Sequence, residues 1–486
     1  MTSSPAPPES HRHPPLRRAL VGLFLLAWIP RIVLAGTYLG LPLGLDDMYQ
    51  YDMLALSISR GDGYRWYQRE YVEGLRSYFD RYYEADLSPE EVPEDGYLSL
   101  FRPPGYPAFL AGIYLISGEA RRIAAVRLAQ TLLGASLAPL TFLLARRLRM
   151  TTRAGAIAGA AVALYPILWA YPLGLGSENL FIPLSMVAVL LLLRSANDPR
   201  WTTAALAGAV VGAAALTRGV FSLFGAFAWL WLARRVGWNR AAAFGLAALA
   251  VVLPWAVRNS LAAGRPAFVE NSIGYNLFVG YHPEGNGGFV SGPALIPTRF
   301  LDDVERDRWT FERALEFIRQ DPGRAVRLLP LRLGYLSGIE TREFTFFYGN
   351  NVFGALPSTA VAAIVLGLII PWIAIAGSAP FGMATSPFAA GRNLILLLVG
   401  TTLIAYVPVL AEPRFHLPLV PFLAPYAAWV WADPGVLRRP VSRRAFVLAC
   451  LALGVLVGLW AWDLHRQAPQ ITALLSPGGN RLRLPY

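Results

Sequence analysis

Apolar runs recur almost from end to end of the chain, many of them near the twenty or so residues a helix needs to cross roughly 30 Å of hydrocarbon. Eleven spans are predicted, near 19–41, 123–145, 155–173, 177–193, 201–217, 219–233, 241–257, 354–377, 393–411, 415–432 and 445–464. The sixth is short, and only the hinge at 218 parts it from the fifth. Two connections, 42–122 and 258–353, are too long to be turns, and function is expected there. The first is rich in tyrosine and charge and then carries the short apolar piece Tyr106–Ser117, too brief to span and expected to lie at the interface. The second predicts one amphipathic helix near Asp302–Gln320, with Trp309, Leu315 and Ile318 on its apolar side, Asp302 as cap and Pro322 as stop. The fold class expected is an all-α polytopic membrane protein. It divides into a basic tail at 1–18, a transmembrane module at 19–257 that includes 42–122, the second connection at 258–353, further spans at 354–464 and a tail at 465–486. No internal repeat of fixed period is visible.

Composition agrees: 55% of the 486 residues are hydrophobic and 15% charged, with a mean hydropathy of +0.43. All 43 basic residues counted as Lys or Arg are arginine, which excludes a Walker A lysine and Schiff-base chemistry and suggests a GC-rich bacterial source. The lone Cys450 rules out an intramolecular disulfide, a CxxC pair and a zinc ribbon, and the five histidines form no HExxH pair. Residues 1–18 resemble the basic start of a signal peptide, but the apolar run behind them is long and contains Arg31, so it reads as a retained first helix. With that tail in the cytoplasm of an inner (plasma) membrane protein, the inner segments hold seventeen arginines against three acids, Glu9, Asp198 and Asp433. The short outer turns hold Glu178, Arg218, Glu412 and Arg414, two of each sign. The net charge of +12 is then a topology signal and an attraction to anionic head groups, not a nucleic-acid footprint.

Three sets of residues invite chemistry. Asp46 and Asp47 stand just past the first span, placed for acid–base work, although a helix start would also favour them. Arg102 opens the string Arg-Pro-Pro-Gly-Tyr-Pro at 102–107; the prolines hold it on a stiff segment suited to gripping phosphate, while snorkelling to head groups would explain an isolated arginine equally well. Charges at helix ends complete the picture: Glu178, Arg218, Arg258, and Arg414 with His416. Ionisable groups at membrane depth are costly and face partners or a polar cavity, so structural ion pairing competes with function for each of them. Arg31 and Arg127 lie deeper, with partners the sequence does not name. The acidic run from Glu84 to Asp95 reads as a solvated loop.

Taken together, these motifs resemble the GT-C class of membrane glycosyltransferases, in the branch of protein O-mannosyltransferases and lipid A aminoarabinose transferases. The likeness runs from about 20 to 425. It rests on Asp46-Asp47 with Tyr51-Asp52 and Ala55 ahead of Gly61-Asp62-Gly63-Tyr64, on the string at 102–107, and on Tyr165-Pro166, Ser177-Glu178 and Leu216-Thr217-Arg218. Further on are the PWxxRN string at 254–259, Asn276–Gly280, the helix end Glu316–Gly323 and Arg414–Pro418. The resemblance implies a polyprenyl-phosphate-linked sugar donor, reaction on the extracytoplasmic face and inversion at the anomeric carbon. It implies Asp46 as base and Arg102 and Arg258 as phosphate ligands, with Tyr106, Glu178, Arg218 and Arg414 lining the substrate site. Asp47 stands where many relatives have Glu, so either carboxylate of the pair is a candidate for the catalytic role. Some members of the class use a divalent cation, and a lipid, polysaccharide or protein are all open as acceptor.

A carboxylate taking the acceptor proton is worth about 10²–10⁴ in rate, and arginines meet the charge growing on the departing phosphate. One carboxylate and two arginines therefore suffice, unlike the carboxylate pair of a hydrolytic glycosidase. A transporter or flippase for an anionic lipid or sugar is the rival from another class. A ligase using a diphosphate-linked oligosaccharide is a second, and would leave the early acidic pair idle.

Overall fold

The computed structural model describes residues 16–41, 43, 46–70, 93–198, 200–295, 297, 303–352, 354–438 and 442–482, with backbone alone at Asp46, Ser291, Leu295 and Glu343. Most of the basic tail, most of the acidic run, the Asp302 cap and the last four residues fall outside these. Among the described residues the fold is helical apart from an antiparallel pairing of Arg65–Trp66 with Tyr97–Leu98 and one isolated bridge.

A helix stands at each of the eleven predicted runs, and not all of them have the length of a full crossing. Seven helices among the described residues are long and apolar enough to cross a membrane: Leu16–Thr37, Glu119–Arg147, Glu178–Ser195, Trp238–Ala263, Ser358–Ala384, Ala389–Tyr406 and Arg443–Leu475. An eighth span exists if Thr152–Ala163 and Ile167–Leu173, bent by 58°, act as one. Trp201–Ala215, Phe221–Val236 and Val420–Ala432 have 15, 16 and 13 residues, short of the length a full crossing takes. The chain is a multi-pass membrane protein of all-α class.

The bend at Pro166 leaves carbonyls at the end of the Thr152–Ala163 helix without their usual donors. Arg31, fully buried, donates through Nη1 to the Ala163 carbonyl at 3.2 Å and to Ala27 at 2.6 Å, and the Trp169 indole donates to Ala163 at 2.8 Å. Arg127 is likewise spent on backbone, donating to the carbonyls of Leu39, Leu41 and Leu173 at 2.5–2.8 Å. It thus ties down the stretch that leads from the first helix to Asp46. The two arginines that lacked partners in the sequence are backbone staples. Glycines set the closest helix crossings: a Cβ on Gly208 would fall 2.0 Å from the Phe244 carbonyl, so only glycine lets these two helices approach.

The amphipathic helix of the second connection is present as Asp303–Gln320, but its buried side is Asp303, Arg306, Thr310 and Ala314, flanked by Trp309 and Phe317. Leu315 and Ile318 are only half-buried, because a buried ion pair claims the inner face. Gly105–Ser117 packs Tyr106, Leu110, Ala111 and Tyr114 inward against Tyr51 and Ala55 of the Asp46–Arg60 helix. The last helix outruns its predicted end at 464, reaching Leu475, since Asp463 is fully buried and accepts from the Ile339 N–H and the Gln467 amide at 2.8 Å each.

Candidate active site

The segment that presents Arg102 is fastened from three directions. Its backbone N–H groups at Leu100 and Phe101 donate to Asp303 Oδ2 at 2.8 and 3.0 Å, and the Ser99 hydroxyl adds a third bond at 3.2 Å. Asp303 is itself paired with Arg306, whose guanidinium lies over the rings of Phe101 and Trp66 at 4.6 and 5.1 Å. Arg258 donates to the carbonyls of Ser99 at 2.7 Å and Tyr64 at 3.2 Å. The Tyr64 hydroxyl donates onward to the carbonyls of Arg102 and Pro103 at 2.9 and 3.1 Å. Gly105 donates to Leu216 O at 2.8 Å, and a Cβ there would meet that oxygen at 2.9 Å, so the string at 102–107 and Leu216-Thr217-Arg218 touch backbone to backbone.

Held in this way, Arg102 donates through Nε and Nη2 to Gln50 Oε1 at 2.9 and 2.7 Å and through Nη2 to Asp47 Oδ1. The other oxygen of Asp47 lies 3.2 Å from Arg414 Nη1. Arg414 in turn reaches Glu412 at 2.8 Å, as does Arg342. Burial pushes the Asp47 carboxyl up, but Arg102 and Arg414 more than reverse this and hold it well below the usual carboxylate range. Beside this pair, Arg218 meets Glu178 at 2.5 Å and donates to the Tyr406 hydroxyl at 3.2 Å. Burial pushes the carboxyl of the half-buried Glu270 up, against the opposing pull of the Arg102 and Arg218 charges.

Five expected site residues therefore stand in two neighbouring sets of ion pairs, Asp47 with Arg102 and Arg414, and Glu178 with Arg218; the Phe415 ring lies 5.7 Å from both Arg218 and Arg414. The side chain of Asp46 lies outside the described residues, and its backbone opens the helix that carries Asp47. Arg258 stands one layer back, its donors turned to backbone. Tyr106 is also behind the site, donating to Gln130 at 2.5 Å with its ring edge-on to Tyr51. Asp52, fully buried, takes a bidentate pair from Arg122 at 2.9 Å and a bond from Tyr114 at 2.7 Å, which locks the Asp46–Arg60 helix in place. His416 is buried away from the pairs, bonded to Leu336 O and Glu340 at 2.8 Å and stacked on Trp372.

Sequence reading missed Gln50, Glu270, Asp303 and Tyr406. Gln50 was within reach, since it follows Asp47 by three residues and shares its helix face. Among the described residues no three His, Cys, Asp or Glu side chains are grouped to hold a metal ion.

Residues 101–257 match the family described as dolichyl-phosphate-mannose-protein mannosyltransferase. The matched stretch takes in the string at 102–107, Ser177-Glu178, Leu216-Thr217-Arg218 and all but the last two residues of PWxxRN. The resemblance to the GT-C class is borne out. No curated protein sequence matches the chain. Among solved structures, the chain is similar to the Archaeoglobus fulgidus oligosaccharyltransferase in its apo form, at 14% identity and TM-score 0.47 over 96% of this chain and 56% of that one. The same archaeal enzyme in complex with an inhibitory peptide and a dolichol-phosphate matches at 14% identity and TM-score 0.46, over 94% and 56%. ArnT from Cupriavidus metallidurans, bound to undecaprenyl phosphate, matches at 12% identity and TM-score 0.43, over 96% and 74%. The chain thus spans little more than half the length of the archaeal enzyme.

Proposed function

We propose that the protein transfers a sugar from a polyprenyl-phosphate-linked donor to an acceptor hydroxyl on the extracytoplasmic face, with inversion at the anomeric carbon. The observation that carries this reading is the convergence of Arg102 and Arg414, from distant parts of the chain, on one carboxylate at the head of the Asp46–Arg60 helix. Two guanidiniums side by side in a partly dry setting suit a phosphate whose negative charge grows as the bond to C1 breaks. An apolar cleft lined by Phe181, Val220, Phe224, Leu398, Phe415 and Phe422 adjoins Arg218, whose guanidinium lies within 5.9 Å of the Phe181 and Phe415 rings. That lining is apolar, as a prenyl chain requires, and it borders an arginine of the site.

In this mechanism the Asp46 carboxylate takes the proton of the acceptor hydroxyl as its oxygen attacks C1. The C1–O bond to phosphate breaks on the opposite face, and polyprenyl phosphate departs with the electron pair. Asp47 serves as the anchor of the arginines: both its oxygens are engaged, and a carboxyl held so low is a weak base. Arg414 takes the second phosphate place, and Arg258 acts by holding the backbone that presents Arg102. The clustering of charge at one end of the bundle favours this over a transporter, which would place its polar groups near the midplane. The extracytoplasmic placement follows from the arginine bias of the short loops.

Membranes containing the protein, incubated with a panel of radiolabelled polyprenyl-phosphate sugars, test the reading. Label is expected to move to an acceptor with the wild type, and Asp46→Asn is expected to abolish transfer while lipid binding persists. Wild-type turnover by Asp46→Asn would remove Asp46 from the mechanism; no transfer from any donor would overturn the function.

A further inference from the structure

The PWxxRN string does more than hold Arg102. Its Trp255 indole donates to Val269 O at 3.0 Å, and the Asn259 amide donates to Phe268 O at 2.8 Å and Val269 O at 3.3 Å. On the other side, the Asn271 N–H donates to Leu100 O at 2.8 Å. The backbone is therefore pinned on both flanks of Glu270, in register with the segment before Arg102. The Glu270 carboxyl lies flat against Gly219: a Cβ there would fall 2.5 Å from Oε1 and 2.9 Å from Cδ. Any residue larger than glycine at that position would push the carboxyl away.

The Glu270 carboxyl lies against Gly219, the residue after Arg218, and feels the charges of Arg102 and Arg218, yet among the described residues no hydrogen bond or ion pair reaches it. The hydrogen bonds of those arginines go elsewhere, from Nε and Nη2 of Arg102 to Asp47 and Gln50 and from Arg218 to Glu178, Ser177 and Tyr406. The oxygens of Glu270 are open to water in the free protein, so a ligand that displaces that water must supply a donor in its place. The neighbouring arginines call for a phosphate, and an ionised phosphate offers no proton to a carboxylate. The prenyl chain offers none either. The one part of a polyprenyl-phosphate sugar that carries donors, and is bonded directly to the phosphate, is the sugar ring.

We propose that Glu270 is a specificity-determining residue that accepts a hydrogen bond from a hydroxyl of the transferred sugar, an inference that rests on the donor reading above. It assigns the carboxylate over Gly219 to recognition of the sugar, while Asp46 and Asp47 serve the reaction and the arginines.

A substrate-by-variant cycle tests this, with a series of polyprenyl-phosphate sugars each lacking one hydroxyl. In the wild type, loss of the recognised hydroxyl is expected to lower kcat/KM about 10- to 100-fold, the range for a hydrogen bond to a charged group. Glu270→Ala is expected to show that loss with the complete sugar and no further loss with the matching deoxy donor, while the other deoxy donors behave as they do with the wild type. Gly219→Ala, which keeps the carboxylate but displaces it, is expected to give the same pattern more weakly and guards against misfolding of the first variant. If every deoxy donor loses the same factor in the variants as in the wild type, Glu270 does not read the sugar and the transfer reading stands. If the wild type transfers from no polyprenyl-phosphate sugar, the donor reading falls and this assignment with it.

Discussion

Replacing Arg102 by alanine separates a catalytic guanidinium from a structural one. Arg102 makes three hydrogen bonds, two to Gln50 and one to Asp47, with its side chain about a fifth exposed. At that exposure each bond is worth about 0.5–1 kcal/mol, between a surface pair and a buried charge-assisted bond. Asp47 keeps Arg414 after the truncation, so no carboxylate is stranded. Stability should therefore fall by about 2 kcal/mol. If the guanidinium also meets phosphate in the transition state, kcat/KM should drop a further ~10²–10³-fold, the scale for removing one preorganised donor. Arg102→Lys should recover part of the rate and little of the stability, since an ammonium carries the charge but not the fork to Gln50 and Asp47. Thermal unfolding in detergent, followed by tryptophan fluorescence, gives the first quantity, and initial rates across donor concentrations give the second. A variant that loses stability while keeping its donor KM and kcat would refute the phosphate role.

Two further outcomes follow from the same contacts. Asp47 has a folded pKa below its unfolded value of about 3.9, so its stabilisation is fully present above that value and is lost as pH falls through the folded one. The difference in unfolding temperature between wild type and Asp47→Asn should accordingly be constant from pH 5 to 8 and shrink only below about pH 4; a difference that drifts within the neutral range would contradict the pairing with Arg102 and Arg414. Asp303→Asn breaks a buried pair with Arg306 and should cost about 3–5 kcal/mol, lowering kcat/KM as the Arg102 segment loosens. An unchanged melting temperature would show that the 99–101 backbone is held by other means.

What the sequence made legible was the charge that membrane helices carry at a cost. Glu178, Arg218 and Arg414 stood out because ionisable groups at helix ends need a reason: Glu178 pairs with Arg218, and Arg414 joins Arg102 on Asp47. Arg31, Arg127 and Arg258 carried the same signal, but their partners are carbonyls, and a chain of letters cannot show which backbone groups a bend or a loop leaves open. Asp303 and Glu270 sit in the long second connection, where an acid is ordinary and nothing marks it as buried or aimed at a site. The helix containing Asp303 was foreseen with its apolar side turned wrongly, because a charged pair displaced Leu315 and Ile318 from the inner face. The number of full crossings was not legible for a related reason: apolar length in sequence does not distinguish a full crossing from a short helix packed inside the bundle.

The bond between Asp47 and Arg414 joins positions 367 residues apart in the sequence. At translation speeds of about 5–20 residues per second, the ribosome makes Arg414 roughly 20–70 s after Asp47. Until then Asp47 has at most the first of its two cations, Arg102, and the paired guanidiniums do not yet exist. On the proposed donor reading, the two-arginine grip on a phosphate arises only once the stretch from Asp47 to Arg414 has been made.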